Sequence, residues 1–572
     1  MGGTATPRRR VELGVNRATG WSRLLVGALA ACGAASANGQ ETPRPEERLD
    51  LDSDPGSIEG LDRDVADSWM PKVASVGDYV VSVWCDLDRE PGGFGADIWL
   101  SYSWIVPAGE SFTTPIRVDE DDTLDDFAPI VLAQENVTVV AWLKRRAGGK
   151  VEVWARSGHA DFFMGGFDWV TPPRRVSTGL VGDAKGLTGA ICLPYVWLAF
   201  EDDHNVRGTD DLFVAASANS GSSFSAPVQV NDPPGDSAEV NQPRLAVSLP
   251  ESEREHDDEE GHDDDDHDDG DDDDDGDDHE DCCDDVFIVW GDRRSGGNDE
   301  VWFSRSLDGG VNWSANVRVD DAGSGCDADS PSIAAVACKG VFITWVDDRL
   351  NRGVADRPWF AFSVDAYDPA VAPTFAADVD LSTQVLVVDA DEAQVVATHD
   401  LDVVVAWLDD RRSAGRDDVI VSRGLFSESS GTVVNGADAN VTAAFRTIRC
   451  HTPVLRASEG AVGVAFLAPR TASGLTAQGA LHPWLAFWDD TLAAPKWQLL
   501  HLATLAPRDQ DMADIDFNLG DHAPWEGHIV WSTRPVSPRP LPRQIWIGGL
   551  DRDHGTGRPP NAPGTGAAID PP

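Results

Sequence analysis

At four places along the chain a carboxylate and a guanidinium stand close together just after an aromatic residue: Asp86 with Arg89, Asp292 with Arg293, Asp347 with Arg349, and Asp409 with Arg411. Arg offers planar, paired donors and Asp accepts from hydroxyls and amides, so a ring of such pairs could bind a polar ligand such as a glycan. The same pairs could instead hold each other and order the turns that carry them. Repetition favours this second role, since an active site needs one constellation unlike the rest. A further set of carboxylates, Asp50, Asp52 and Asp54 ahead of Gly56, alternates in the manner of a Ca²⁺ loop, where about six to eight oxygens come partly from backbone. Ca²⁺ is the one cofactor the sequence suggests, and the alternative is a solvated acidic turn.

These positions recur because a larger unit recurs. An apolar run ending in an aromatic, then Asp and Arg, then a second apolar run, has its aromatic at Trp84, Trp142, Phe200, Trp290, Trp345, Trp407, Phe466 and Trp531. The spacing is 55–65 residues except for one gap of 90, which contains an acidic insertion. Each unit reads as four short strands rich in Val, Ile, Trp and Phe, punctuated by Gly, Pro and Asp. In the fifth unit the expected strands are Ser332–Val336, Val341–Trp345, Trp359–Ser363 and Thr374–Val379. Four strands per unit, repeated radially, is the blade of a propeller. The expectation is an all-β chain forming a single β-propeller of eight four-stranded blades over residues 46–551. Residues 46–52 copy the last strand of other units and the final unit lacks one, so an N-terminal strand is expected to complete the last blade and close the ring.

The 572 residues carry a formal charge of −53, and Glu255–Asp285 holds 22 Asp or Glu with no Lys or Arg. Such a surface repels phosphate backbones, which excludes nucleic acid as a partner. The insertion, 252–285, cannot bury itself and is expected to be a disordered loop. At the N-terminus a basic stretch, the apolar run Leu24–Ala31 and the small residues Ala35-Ser36-Ala37 form an export signal over residues 1–37, leaving the mature protein secreted, periplasmic or on an outer surface. Leu29-Ala30-Ala31-Cys32 offers a second reading, a lipid anchor at Cys32. No later run is long enough to span a membrane. Eight cysteines allow no pairing to be read from spacing. Residues 552–572 read as a flexible Pro/Gly-rich tail, and the chain as a monomer.

Ser306-Leu307-Asp308-Gly309-Gly310-Val311-Asn312-Trp313 resembles the Asp-box, S-x-D-x-G-x-x-W, of the sialidase-like β-propeller superfamily, and Ser217, Asn219, Gly221 and Phe224 form a second copy with Asn for Asp. The resemblance implies a structural turn between the third and fourth strands of a blade, with Ser306, Asp308, Gly310 and Trp313 as its framework. It also implies what a sialidase would need: three arginines, a Tyr nucleophile paired with Glu, and an Asp acid/base. The tyrosines Tyr79, Tyr102, Tyr195 and Tyr367 lie in no turn of the expected ligand face. The family's F-R-I-P motif is missing, with Phe445-Arg446-Thr447-Ile448 the nearest approach. The functional expectation is an exported, non-catalytic propeller binding glycan or an extracellular protein. The alternatives are a glycoside hydrolase or lyase acting on extracellular polysaccharide, and a Ca²⁺-stabilised surface protein.

Overall fold

The computed structural model describes residues between 41 and 552, leaving out 44–46, 49–67, 105–111, 232–238, 249–283, 383–388, 412–416, 443–449, 470–480, 489–496, 502–509, 520–525, 536–543 and several shorter connections. The export signal, Cys32, Asp50, Asp52, Asp54, Arg89, nearly all of the acidic insertion and the tail beyond residue 552 lie outside the described residues. So does Phe445-Arg446-Thr447-Ile448. Residues Thr42–Asp551 form one compact unit.

No α-helix occurs among the described residues, and no helix is long and apolar enough to cross a membrane. Seven antiparallel sheets each take four or more consecutive strands from the chain. An eighth joins Gln510–Leu519, Glu526–Pro535 and Gln544–Arg552 to the short strands Glu41–Pro43 and Glu47–Arg48. There Glu47 stands opposite Ile547 and Arg48 opposite Trp546. The first strands of sheets 1 to 8 are Ser68–Val76, Asp126–Gln134, Ala184–Cys192, Val240–Val247, Ala328–Val336, Ala390–Ala397, His451–Ser458 and Gln510–Leu519. Each packs against the first strands of its neighbours in chain order, and that of sheet 1 also packs against that of sheet 8. The Val73 N–H donates to the Asp516 carboxylate at 3.1 Å, and Arg456 of sheet 7 donates to the other oxygen of Asp516 at 3.2 Å.

The middles of the second strands are mostly apolar because a sheet covers each of their faces; in Val286–Asp292 every residue is buried. The aromatics that set the repeat are the centre of this packing. Trp84, Trp142, Phe200, Trp290, Trp345, Trp407 and Phe466 are wholly buried, each contributing about 3 kcal/mol over an exposed ring. In the fifth unit the observed strands are Ala328–Val336, Gly340–Asp347, Arg357–Ser363 and Val379–Asp380, so the fourth begins later than its apolar run suggests. The reason is a turn that the sequence pattern hides. Asp365 bonds Ser363 at 2.7 Å and accepts the Thr374 N–H at 2.8 Å, which holds residues 364–374 outside the sheet.

The two motif copies form turns between third and fourth strands. The Gly310 N–H donates to the Ser306 hydroxyl at 2.9 Å, and Asp308 accepts the Asn312 N–H at 2.8 Å. In the second copy the Gly221 N–H donates to Ser217 at 2.9 Å and the Ser223 N–H to Asn219 at 2.9 Å. Trp313 and Phe224 pack against the buried clusters beside them. Gly310 has φ +91°, and a Cβ there would meet the Trp197 indole nitrogen at 2.8 Å. Trp197 cannot retreat, since its N–H donates to the Gly309 carbonyl at 2.9 Å and ties sheet 3 to sheet 4. Gly310→Ala is therefore expected to destabilise by about 2–4 kcal/mol, combining left-handed strain with a clash against a fixed ring. Urea denaturation read by Trp fluorescence checks this, and a loss below about 1 kcal/mol would contradict it.

Candidate functional site

The first strand of every sheet carries a β-bulge. In sheet 1, Trp69 pairs with Cys85 and Lys72 with Val83, so Met70 and Pro71 together face the single residue Trp84. The same two-against-one arrangement sets Ala128-Pro129 opposite Trp142, Gly186-Leu187 opposite Phe200 and Gln242-Pro243 opposite Trp290. It recurs with Ser330-Pro331 opposite Trp345, Glu392-Ala393 opposite Trp407 and Thr452-Pro453 opposite Phe466. Sheet 8 departs by one position, with Ala513-Asp514 opposite Ser532 rather than Trp531. In six of the eight, sheets 1 to 6, the first bulge residue takes a left-handed conformation: Met70 at φ 55°, Ala128 at 50°, Gly186 at 62°, Gln242 at 51°, Ser330 at 54° and Glu392 at 53°. Non-glycine residues held there cost energy, and such outliers gather at ligand sites where the strain aims a side chain.

Because these bulges all lie at the start of a first strand, they gather at the same end of their sheets, the end that also bears the connections between second and third strands. The side chains they present differ. Sheets 1 and 2 give half-buried Trp69 and Phe127 with exposed Met70, sheet 4 gives Asn241 and Gln242, and sheets 5 and 6 give Asp329, Asp391 and Glu392. Neighbouring bulges are tied through polar atoms. The Gln242 N–H donates to Glu201 at 2.9 Å, and the Gln242 side-chain oxygen accepts the Ser330 N–H at 2.7 Å.

The carboxylates of the Asp–Arg pairs lie at this end, and two of the pairs, Asp347 with Arg349 and Asp409 with Arg411, are committed to one another. The Trp345 indole N–H donates to Asp347 at 3.0 Å and Arg349 Nε donates to the same carboxylate at 2.8 Å. Trp407, Asp409 and Arg411 repeat the knot at 3.1 and 2.7 Å. In sheet 4 the Trp290 N–H reaches Asp292 at 3.2 Å, while the guanidinium on Asp292 is that of Arg294 at 2.9 Å. Arg293 turns instead to Asp299 at 2.9 Å and Glu239 at 3.1 Å. Asp86, Asp292, Asp347 and Asp409 are all buried. In sheet 2 the same job falls to Asp126, which accepts from Trp142 at 2.5 Å and Lys144 at 3.1 Å.

Unlike groups appear one residue before the third strands. Asp210 is paired with Lys185 at 2.6 Å and Asp299 with Arg293 at 2.9 Å, but no basic side chain among the described residues pairs with Asp356. Burial, then the carboxylates of Asp389, Asp329, Asp348 and Asp391, push Asp356 up to about 7. Asp329 is raised too, by burial and then by Asp327 and Asp299. No group of three His, Cys, Asp or Glu able to hold a metal occurs among the described residues. The four tyrosines are all at the opposite end of the sheets: Tyr79 and Tyr195 open second strands, Tyr102 is near the end of a third strand, and Tyr367 lies in a turn between third and fourth strands.

The chain is a β-propeller, consistent with the sialidase-like superfamily that its Ser306–Trp313 motif resembles. No protein-family model matches it, and no curated protein does. Solved structures with similar architecture include an α-L-arabinofuranosidase of Fusarium graminearum bound to arabinobiose, at 11% identity and TM-score 0.33 over 67% of this chain and 97% of that one. A polysaccharide lyase acting on ulvan aligns at 9% identity and TM-score 0.40, over 69% and 88%. The NanB sialidase of Streptococcus pneumoniae aligns at 10% identity and TM-score 0.34, over 77% and 69%. At these identities the likeness transfers no residue and no substrate to this chain.

Proposed function

We propose that this chain is an exported, eight-bladed propeller, closed by its N-terminal strand, that binds a glycan at the bulged end of its first strands. The observation that carries the reading is the ring of unlike residues at and just before the bulges: aromatic rings on sheets 1 and 2, amides on sheet 4, carboxylates on sheets 5 and 6. Carboxylates and amides accept and donate to sugar hydroxyls, and rings pack on sugar faces, whereas a charge of −53 opposes a polyphosphate. The ring count is supported by eight sheets whose first strands pack in order, and by the bond from Val73 to Asp516 between the first sheet and the last. Export is supported by Cys192, which is disulfide-bonded and so suits an oxidising compartment.

A glycan array with the wild-type chain, followed by titration of the best ligand, tests this. The double variant Asp391→Asn, Glu392→Gln is expected to weaken binding about tenfold or more, the size of losing charge-assisted hydrogen bonds. Asn312→Ala, in a turn at the far end, should leave affinity unchanged. An empty array, or equal loss from both variants, would sink the reading. Asp356 gives a specific reason to keep a second one, a glycoside hydrolase or lyase, since a carboxyl that holds its proton near neutrality can serve as a general acid. Turnover on a polysaccharide panel, lost in Asp356→Asn while binding persists, would establish it over simple binding.

A further inference from the structure

The first strand of each sheet is bonded to a strand on one side only and packs against the first strands of the neighbouring sheets. Just after each bulge, opposite the residue that precedes the anchor aromatic, sheets 1 to 7 place two cations, Lys72 and Arg244, and no carboxylate. Sheet 8 places Asp516 there, which is taken by the Val73 N–H and by Arg456. Two other polar side chains of this row reach across to the next sheet. Ser332 Oγ accepts the Val395 N–H at 3.2 Å, and Gln394 bonds the Pro453 carbonyl at 2.6 Å and the Leu455 N–H at 2.9 Å. Arg244 does not reach across. Its Nη1 donates to the carbonyl of its own neighbour Pro243 at 2.9 Å, and no carboxylate among the described residues lies within ion-pair distance of it. By contrast Arg293, Arg294, Arg349 and Arg411, at the same end of their sheets, are each paired with an Asp.

Arg244 is exposed to water, yet protein surrounds it closely enough that desolvation holds its guanidinium below the ordinary value, against the opposing pull of Glu201. Glu201 is not free to pair with it, since it already accepts the Gln242 N–H at 2.9 Å and lies 3.5 Å from Lys185. Exposure and desolvation together describe a wet recess. A charge in such a place is poorly screened and draws a counter-ion more strongly than one on an open surface. A guanidinium also offers parallel N–H donors that match two oxygens of one group. We infer that Arg244 seats a small free oxyanion, such as sulfate, phosphate or a simple carboxylate, in a recess on the first strand of sheet 4 beside the bulge. This site is separate from the ring of bulge side chains, and its occupancy does not depend on a glycan.

Thermal unfolding at constant ionic strength, with sodium chloride exchanged stepwise for sodium sulfate, tests this. Sulfate stabilises proteins without binding them, by exclusion from their surface, and that effect grows steadily with concentration. A bound ion gives instead a gain that bends over once the site is filled. The wild-type protein is expected to show a curved rise in Tm of about 1–2 °C in the millimolar range, on top of the steady slope. In Arg244→Met the curved part should vanish and the slope remain. Lys72→Met removes a like charge at the same register of sheet 1, so it controls for net charge and should keep most of the curved part. The wild-type curve decides the first point whether or not the methionine variant at Arg244 folds. A wild-type curve with the steady slope alone, an equal curved rise in Arg244→Met, or an equal loss in Lys72→Met overturns the proposal.

Discussion

Replacing Arg349 by methionine is expected to destabilise the propeller by about 3–5 kcal/mol, the cost of leaving buried carboxylates without their cation. Arg349 is the densest polar node at the bulged end. It holds Asp347 through Nη2 at 2.6 Å, Asp378 at 2.6 Å and Asp321 at 2.9 Å, and its plane lies 3.9 Å from the Trp359 ring centroid. The side chains of Asp347 and Asp378 are 0% and 1% exposed, so water cannot replace what the guanidinium supplies. Asp321 and Asp378 belong to different sheet connections, and the Asp321 N–H donates to Asp378 at 2.9 Å, so the loss spreads beyond one turn. Methionine keeps the stem and its contact with Trp359, which isolates the charge. Lysine should recover less than half, because a point charge cannot serve three carboxylates in the fork geometry that Arg uses. The midpoint of urea denaturation, with unchanged slope, is the measurement. A loss under about 1 kcal/mol would mean that these pairs are decoration on turns held by other forces.

That node illustrates what the sequence disclosed and what it hid. The aromatic anchors and the Asp and Arg beside them were legible because burial between two sheets demands a large ring in every unit, and a buried indole N–H demands an acceptor two residues on. Trp345, Asp347 and Arg349 can be found by spacing alone. Their partners Asp321 and Asp378 cannot, since they come from connections whose acidity blends into the chain's general acidity. In sheet 4 the residue adjacent to Asp292 is Arg293, yet the one that bonds it is Arg294, because a side chain at the second position past a strand end folds back over it while the first points away.

The bulges were hidden for a different reason. One extra residue opposite an aromatic alters neither composition nor period. The usable signal was proline, at Pro71, Pro129, Pro243, Pro331 and Pro453, each just inside a first strand where a paired residue would need its N–H. Proline is tolerated there because the second bulge residue has no partner. The Asp365 turn escaped notice because it lacks the Gly and aromatic of the motif while keeping its Ser and Asp. What defines the candidate site, then, is a backbone irregularity that fixes where unlike side chains stand. Sequence patterning reads regularity well and such departures poorly.

Lowering the pH from 8 to about 5 is expected to raise the Tm by several degrees, the reverse of ordinary acid denaturation. Asp356 and Asp378 are each pushed up to about 7, first by burial and then by neighbouring carboxylates, and Asp202 to about 6. Asp119, Glu201, Asp299 and Asp329 are raised as well, burial being the first cause in each. A carboxyl raised in the folded state takes up a proton on folding, so its contribution grows as pH falls through that range and is complete below the unfolded value near 4. Asp308, Asp321 and Asp365 are lowered instead, Asp308 and Asp365 by bonds that outweigh burial and Asp321 chiefly by its bond to Asp378. Their stabilisation is present above about pH 4 and fails only below it, so it does not change across this window and produces a maximum in mild acid. Relief of general repulsion in a chain of charge −53 acts in the same direction and must be separated. Salt does so: at about 0.5 M the screening length falls to a few ångströms, which suppresses surface repulsion and leaves the buried carboxyls almost untouched. The rise in Tm should therefore survive salt in large part. A Tm that falls steadily from pH 8 to 5, or a rise abolished by salt, would mean that these carboxyls are solvated and that the bulged end is a looser, wetter surface than its geometry indicates.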